Sequence, residues 1–472
     1  ALISMEMWER GNPWVPTELG AYYYNKPPVF NWVLMGSAAL LGGFHEWAMR
    51  LPTVLSTIGL CLILFFMGRR YVDASFGWVS ALLFAANGSI LLFFSHLGEI
   101  DLFYALTGFA GFAALFHFYQ TRRDLLLFTA FYGLNAIGFL TKGLPSILFI
   151  GLSLGVWFAY QRDWRRLFSR AHLAGIGVFA LIVGGYLYQY SLYNGLDRLL
   201  PEWIGQAGER TVAEQGIGPL LSHMVLYPLD TLKDLLPFSL LAIFLWRKDV
   251  PGLLRRNDWV AFSALVFAAN FPVYWLSPGA KQRYLYMLFP LLLTVFTWAW
   301  RHHAELKPVV NAIFRVLTGA LLLVFAAAAP ALAFVPDLSF LPYEYLLAGV
   351  AGLALFSLCY LYWKRKGMEL ALLIVAMAVA RIAFDLTVLP QRAHQSGAQE
   401  DKELAIAIKA VVQDQPLYIY RFDRISHTTA YYLNRLRGEC LKRSYREEPG
   451  AYYLAEADCV ERPYQDILFQ FL

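Results

Sequence analysis

Long apolar runs recur along the chain and limit what it can fold into more than any other feature. Hydrophobic residues make up 58% of the chain and charged residues only 15%, which is far from the balance of a soluble protein. Most of the runs are long enough to cross a bilayer about 30 Å thick as a helix. The sequence therefore predicts an all-α polytopic membrane protein. Twelve candidate spans can be counted, at about 51–67, 77–94, 102–119, 125–140, 144–160, 173–190, 226–246, 259–276, 284–300, 309–335, 343–363 and 368–390.

Basic residues are divided unequally between alternate loops. One alternating set of loops holds 17 lysine and arginine residues, and the opposite set holds nine. Because loops rich in lysine and arginine stay on the cytoplasmic side, the first set is predicted to be cytoplasmic. The apolar stretch 29–44 would reverse this asymmetry if it crossed the membrane. We therefore expect that stretch to lie in the interface or to re-enter.

The resulting organisation has three regions. Residues 1–50 are predicted to form a first extracytoplasmic loop with interfacial helices, and residues 51–392 a transmembrane domain with an extracytoplasmic loop at 191–225. The interspersed charge of residues 393–472 predicts a small extracytoplasmic α/β domain. Cys440 and Cys459 lie in that region and could form a disulfide outside the cytoplasm, although an unpaired state is equally compatible with the sequence.

Local patterns within the C-terminal region give its elements. Residues 405–412 have helical periodicity, residues 417–420 have the composition of a strand, and residues 428–436 could form a second helix. The tyrosine pairs at 431–432 and 452–453 are expected to belong to its core.

Charged residues gather where the predicted spans meet the outer surface. A single lysine or arginine at a helix end commonly extends to the lipid headgroups, but carboxylates near the membrane usually face a cavity or a partner. As a set, these residues predict a pocket in which cations bind a phosphate and a carboxylate acts as general base. The candidates are Lys26 before two prolines, Glu99 and Asp101 in a short turn, Lys142 at a hairpin, Arg210 in the long loop, and Lys281, Arg283 and Tyr284 at the start of a span.

Several short motifs occur together in an order that resembles the GT-C glycosyltransferases. The similarity is greatest to the branch that contains the lipid A aminoarabinose transferases and the protein O-mannosyltransferases. It extends over about residues 1–300, and no single motif is specific by itself. The matching stretches are residues 1–16, Asn25-Lys26-Pro27-Pro28, residues 46–52, Gly68-Arg69-Arg70, Asp101, Leu140-Thr141-Lys142-Gly143 and Arg283-Tyr284-Leu285.

The resemblance implies an enzyme that takes a sugar from a polyprenyl-phosphate carrier and transfers it to a lipid, glycan or protein acceptor. Its expected place is the outer face of the bacterial cytoplasmic (inner) membrane, and no feature points to nucleic acid. Two carboxylates, Asp101 and Glu99, are the catalytic candidates. The donor phosphate is expected to contact Lys26, Arg210, Lys281, Arg283, Tyr284 and Lys142.

The chain departs from the family pattern in two respects. The principal acidic residue of the family would fall about five residues before Ala1, so we expect it, together with a first transmembrane helix, upstream of the sequence. The aminoarabinose branch has a histidine in its long loop, whereas this chain has residues 203–206, Trp-Ile-Gly-Gln. No metal ligand is therefore assigned and no cofactor is expected, with a divalent metal left as an alternative.

Two other classes of function share parts of this pattern. A transporter or flippase for a lipid-linked substrate also places charges among helices, but near the middle of the membrane and often within repeats. A glycan ligase or polymerase would use a similar lipid-linked donor with a longer sugar chain. The charges at the outer surface favour a transferase that acts by a single, inverting displacement.

Overall fold

The computed structural model describes residues 1–208, 212–335, 338, 340–421, 424–446 and 448–455, and helices account for most of them. The α-helices are α1 Leu2–Glu9, α2 Val29–Leu41, α3 Glu46–Tyr71, α4 Ala74–Ala85, α5 Ile100–Gln120, α6 Asp124–Lys142, α7 Pro145–Gln161, α8 Arg170–Ser191, α9 Leu196–Gly208, α10 Val212–Gln215, α11 Ile217–Asp234, α12 Val250–Arg255, α13 Asp258–Trp275, α14 Phe289–Arg301, α15 Pro308–Ala331, α16 Glu344–Lys364, α17 Glu369–Leu386, α18 Val388–Gln395, α19 Ala398–Val412 and α20 His427–Arg437.

Shorter helical turns and a few strands complete the architecture. A π-helix covers Ile90–Phe94, and 3-10 helices cover Trp164–Phe168, Phe238–Leu245, Gln282–Leu285, His303–Glu305 and Leu332–Phe334. The strands are β1 Thr17–Glu18, β2 Ala21–Tyr22, β3 Leu417–Tyr420, β4 Lys442–Ser444 and β5 Tyr452–Leu454. The first two pair antiparallel, whereas β3 lies between β4 and β5 and is parallel to both.

The polytopic character predicted from the apolar runs is confirmed. Within the described ranges, seven helices are long and apolar enough to cross a membrane, and three shorter apolar helices accompany them. Each of the twelve predicted spans contains helix, but some are interrupted; the run at 226–246, for example, is divided between α11 and a 3-10 helix. The total of twelve spans therefore stays a prediction.

The hairpin predicted around residue 142 is present. Helix α6 ends at Lys142 and α7 begins at Pro145. Gly143 takes a φ of +88°, which a glycine adopts with little strain and which allows the chain to reverse. A proline at the first position of α7 is also favourable, because the N–H group that it lacks would have no partner there.

A single large aromatic and aliphatic core joins many of the membrane helices. The indoles of Trp157 and Trp259 are completely buried, and both pack against Phe116 of α5 with ring centroids 5.7 and 5.1 Å apart. This core places the first turn of α5 and the last turn of α6 close together, because the two helices pack along their length.

The C-terminal helices and strands form a small α/β unit, and its elements agree with those predicted from sequence. The predicted strand is β3, and the two predicted helices lie within α19 and α20. Leu2 and Leu19, from the start of the chain, are part of the same hydrophobic core as Ile408 and Ile419. The N-terminal segment and the C-terminal unit therefore pack as one body, while Cys459 lies outside the described residues.

Buried hydrogen bonds from α1 hold the N-terminal segment in this arrangement. The Glu6 carboxylate accepts from the backbone N–H groups of Leu19 and Gly20, and Glu6 is only 1% exposed. Burial raises the pKa of Glu6, while bonds from Thr17, Gly20 and Leu19 act in the opposite direction. One side chain thus satisfies two backbone donors of the β1–β2 turn.

We expect Glu6→Leu to lower the stability of the protein by about 2 kcal/mol, because two buried N–H donors would lose their acceptor. The measurement is the midpoint of thermal unfolding in detergent. Glu400→Leu, at an exposed position of α19, is the matched control and should leave the midpoint unchanged. Equal midpoints for the two variants would contradict this account of Glu6.

Candidate functional site

Five of the residues predicted from sequence converge at one end of the helices. Glu99 and Asp101 stand at the start of α5, Lys142 is the last residue of α6, and Arg283 and Tyr284 lie in the 3-10 helix Gln282–Leu285. The three segments are separated in sequence but are brought together by the packing of α5 against α6 and against that 3-10 helix. We call these five residues the carboxylate cluster.

The positions of the charges follow from helix geometry. Asp101 lies in the first turn of α5, where a negative charge interacts favourably with the helix dipole, and Lys142 lies in the last turn of α6, where a positive charge does. The prediction that Asp101 lies in a turn is wrong, because α5 begins at Ile100. Glu99 is the last residue before the helix, and its side chain makes no capping hydrogen bond.

The Asp101 carboxylate is the centre of the cluster. It is only 4% exposed, and each of its oxygens faces a cation. Oδ1 accepts from the ammonium of Lys142, and Oδ2 lies 3.2 Å from Nε of Arg283. Because a buried carboxylate is costly unless it is paired, these two cations account for its place in the protein.

Lys142 is as buried as its partner and is also surrounded by aromatic rings. Its Nζ lies 3.8 Å from the centroid of the Tyr284 ring and 5.2 Å from that of Tyr104. The electron-rich faces of such rings attract a cation. Two rings and one carboxylate therefore balance the charge of Lys142 inside the protein.

Glu99 is the more accessible of the two carboxylates. Its side chain is 37% exposed, and its Oε2 accepts from Nη1 of Arg283 at 2.8 Å. Burial raises the pKa of Glu99 and the neighbouring charge of Asp101 acts in the same direction, while Arg283 opposes them. Glu99 is thus a partly exposed carboxylate that binds a proton more readily than a fully solvated glutamate.

The remaining predicted phosphate ligands have different surroundings. Lys26 lies beside α9, with Nζ 3.5 Å from Oε1 of Gln206. Trp203 of the same helix packs on Phe139, near the end of α6, with ring centroids 5.8 Å apart. Lys26 therefore lies toward the same end of the helices as the carboxylate cluster.

The other two basic candidates are less defined by contacts. Lys281 is exposed, and its charge lowers the pKa of Glu99 as one of several smaller influences. Arg210 lies outside the described residues. Among the described residues, no group of three or more His, Cys, Asp and Glu side chains is placed to bind a metal ion.

Sequence reasoning missed a second charged group beside the site. Arg381 of α17 donates from Nη1 to Nδ1 of His96 at 3.2 Å and from Nε to Asp385 at 2.8 Å. His96 belongs to the segment that leads to Glu99, so this group links α17 to the cluster. The signal was available, because Arg381 is an ionisable residue inside a predicted membrane span, and such residues are usually functional or paired.

Tyr104 was also missed. It follows Asp101 by three residues on α5, so the two side chains share a face of the helix. Its hydroxyl lies 3.1 Å from the hydroxyl of Ser146 in α7, and its ring contacts Lys142. The helical spacing from Asp101 would have identified it.

Fold and site together define a multi-pass membrane protein with a charged cluster at the ends of its helices. Residues 25–186 match the family described as dolichyl-phosphate-mannose-protein mannosyltransferase. Over 93% of its length, the chain has the fold of ArnT from Cupriavidus metallidurans, whose crystal structure with undecaprenyl phosphate it matches with a TM-score of 0.70, at 20% sequence identity and over 79% of that chain. The apo structure of the same protein gives a TM-score of 0.68.

Two curated relatives carry the same description, undecaprenyl phosphate-alpha-4-amino-4-deoxy-L-arabinose arabinosyl transferase. The protein of Pseudomonas paraeruginosa is 30% identical over 179 residues, which is 35% of this chain and 30% of the relative. The protein of Edwardsiella ictaluri is 28% identical over 177 residues, which is 37% of this chain and 32% of the relative. The matches thus span about a third of the relatives' length, and the resemblance to GT-C glycosyltransferases noted in the sequence is confirmed.

The ion pair between Asp101 and Lys142 can be tested by a double-mutant cycle. We expect Asp101→Asn and Lys142→Met each to destabilise the protein by about 3–5 kcal/mol, since each removes one member of a buried ion pair. The double variant should lose much less than the sum of the two, as measured by thermal unfolding in detergent. Asp414→Asn removes an exposed pair with Lys409 and should leave the midpoint unchanged, whereas additive losses at Asp101 and Lys142 would contradict the pairing.

Proposed function

We propose that the chain is a membrane glycosyltransferase that transfers a sugar from a polyprenyl-phosphate carrier to a lipid, glycan or protein acceptor. The observation that carries this proposal is the carboxylate cluster, in which two carboxylates and two cations meet at the ends of helices in a fold shared with ArnT. The match of residues 25–186 to the family described as dolichyl-phosphate-mannose-protein mannosyltransferase supports the same chemistry. The crystal structure of ArnT contains undecaprenyl phosphate, and the relatives are named for the same carrier, which fits a lipid-linked donor.

The proposed site faces the outside of the bacterial cytoplasmic membrane. The supporting observation is the unequal division of lysine and arginine between the loops, because the more basic set stays in the cytoplasm. Residues 1–50, the loop 191–225 and the unit 393–472 are then extracytoplasmic regions, and 51–392 is the transmembrane domain between them.

The proposed reaction is one displacement at the anomeric carbon of the sugar. An acceptor hydroxyl attacks this carbon, the bond to the phosphate oxygen breaks, and polyprenyl phosphate leaves with the electron pair. A carboxylate takes the proton of the hydroxyl. Because only one displacement takes place, the configuration at the anomeric carbon is inverted.

The role proposed for each residue in this reaction follows from how exposed its side chain is. Glu99 is partly exposed and is the carboxylate within the cluster that can reach an acceptor, whereas Asp101 has both oxygens engaged and holds Lys142 and Arg283 in place. Lys26 supplies positive charge to the donor phosphate, with Arg210 and Lys281 as further ligands. Arg283 has five N–H donors and contacts both carboxylates while stabilising the departing phosphate.

A transporter has less support than a transferase, because the matching family and the curated relatives are described as transferases. A glycan ligase or polymerase would share the lipid-linked donor. Analysis of the product distinguishes it from the proposed enzyme, since a ligase would transfer a chain of sugars and the proposed enzyme a single sugar.

Lys26→Ala should reduce sugar transfer about a hundredfold, because a preorganised positive charge on the leaving phosphate would be lost. The assay uses proteoliposomes that contain a panel of undecaprenyl-phosphate-linked pentoses and hexoses, with a membrane lipid extract as acceptor. Release of undecaprenyl phosphate and labelling of the acceptor are both measured. Lys307→Ala, at an exposed site before α15, is the matched control, and equal rates for both variants would refute the phosphate role of Lys26.

The raised pKa of Glu99 predicts the acid side of the pH profile. As pH falls, Glu99 binds a proton at a higher pH than a solvated glutamate does. The protonated carboxyl group can no longer act as the base, and it no longer forms an ion pair with Arg283. We expect kcat/KM to decline on that side, and Glu99→Gln to lower the rate and remove this part of the profile. Glu403→Gln, on an exposed face of α19, should keep the wild-type profile; a Glu99→Gln variant with the same pH dependence as wild type would exclude Glu99 as the base.

A further inference from the structure

Two turns lie side by side at the ends of the helices opposite the carboxylate cluster. The turn 121–123 joins α5 to α6, and the turn 162–169 joins α7 to α8. Because α5 has 21 residues, the first turn lies about 30 Å from the cluster. Tyr119, at the end of α5, connects the two turns, since its hydroxyl donates to Oδ2 of Asp163 at 3.3 Å and its ring centroid lies 4.6 Å from the guanidinium carbon of Arg166.

These turns carry a marked excess of positive charge, because their two carboxylates face the same arginine. Nε of Arg166 lies 2.9 Å from Oδ2 of Asp163, and its Nη1 lies 3.4 Å from Oδ1 of Asp124. Asp258 of α13 borders the turns and accepts from Gln120 at 3.2 Å. The other five arginines are exposed, and within the described ranges none of them forms an ion pair: Arg122, Arg123, Arg162, Arg165 and Arg170. We call residues 119–124 and 162–170 the arginine surface.

The 3-10 helix Trp164–Phe168 places part of this surface among the lipid headgroups. Leu167 packs against the main hydrophobic core, whereas the side chains of Trp164 and Phe168 are 49% and 86% exposed. Helix α8, which is long and apolar enough to cross a membrane, begins two residues after Phe168. Exposed aromatic rings and arginines beside such a helix lie in the interface between the acyl chains and water. The arginine surface therefore faces the headgroups.

Two of the exposed arginines have a backbone conformation that glycine adopts more easily. The φ angles of Arg122 and Arg162 are +57° and +55°. In both turns the N–H groups of the arginine and of the next residue donate back to carbonyls of the preceding helix, a helix ending in which this position is usually glycine. A cation near the end of a helix is favourable in itself, but a basic residue one turn earlier would supply that charge without the unfavourable φ. Its occurrence at both turns points to a function of these two side chains beyond ending the helices.

The chemistry of the arginine surface fits a phosphate at the level of the headgroups. Guanidinium groups bind phosphate oxygens through paired, charge-assisted hydrogen bonds. Groups of four to eight basic residues next to a membrane helix are typical of sites for anionic lipids. The exposed rings of Trp164 and Phe168 favour a lipid over a soluble phosphate, because a lipid brings apolar chains that cover them.

We propose that the arginine surface binds the headgroup of an anionic phospholipid, with Arg122 and Arg162 directed to its phosphate and Phe168 beside its acyl chains. In the proposed orientation this lipid belongs to the cytoplasmic leaflet. It bridges the turn between α5 and α6 and the turn between α7 and α8. The binding is separate from sugar transfer and can be measured without it.

The test is native mass spectrometry of the full chain released from detergent micelles, with phosphatidylglycerol or phosphatidylcholine of the same acyl chains added. We expect phosphatidylglycerol to be retained at lower concentrations than phosphatidylcholine. The variant Arg162→Gln/Arg165→Gln should require about tenfold more phosphatidylglycerol for the same retention. The matched control is Arg365→Gln/Lys366→Gln, which removes two exposed charges from the turn between α16 and α17 and should bind as the wild type does.

Three results would overturn the proposal. They are equal retention of the two lipids by the wild type, equal losses in the test variant and the control, and displacement of bound phosphatidylglycerol by inorganic phosphate at the same concentration. Equal losses would mean that general attraction between basic loops and anionic lipids explains the binding.

A second variant separates loss of the lipid from loss of the fold. Arg122→Gly/Arg162→Gly removes both side chains and places glycine where φ is positive, so the midpoint of thermal unfolding should stay the same or rise. We expect this variant to lose phosphatidylglycerol about tenfold even so. If it unfolds as the wild type does and retains phosphatidylglycerol equally well, the two arginines do not bind the lipid and the proposal fails.

Discussion

The burial of one carboxylate at the start of α5 is the constraint on which the arrangement of the site depends. Asp101 is 4% exposed, and a carboxylate in that position is tolerated only where cations compensate for lost hydration. Lys142 and Arg283 provide that compensation, one from the end of α6 and the other from the turn before α14. The guanidinium of Arg283 also forms an ion pair with Glu99. Neutralising Asp101 therefore also determines where the more exposed carboxylate and its partner lie.

A second constraint comes from the two ends of the described chain. The small C-terminal unit is completed by Leu2 and Leu19, which enter its core from the N-terminal segment. Glu9 strengthens the same contact by accepting from the backbone N–H of Cys440 at 2.5 Å. Because the N-terminal segment also leads into α2 and α3, this packing sets α20 against the turn between those helices.

Much of the fold and part of the site were predictable from local patterns. The apolar runs gave the membrane helices, since hydrophobicity over about 20 residues is itself the requirement for crossing a bilayer. Charges at the ends of those runs gave Glu99, Asp101, Lys142 and Arg283 as members of one site. Their pairing was not predictable, because Arg283 and Glu99 are 184 positions apart. The expected role of Lys142 as a phosphate ligand stays a prediction, although its burial beside Asp101 and two tyrosine rings favours a positioning role.

The sequence by itself determined that this is a helical membrane protein with a charged site at helix ends, because hydropathy and charge act over short stretches of chain. Only the tertiary structure decided which cation neutralises which carboxylate, that Glu99 is more exposed than Asp101, and that the first residues complete the last unit. These are matters of packing between segments distant in sequence. Burial and ion pairing depend on what surrounds a side chain in space, and no local pattern contains that information.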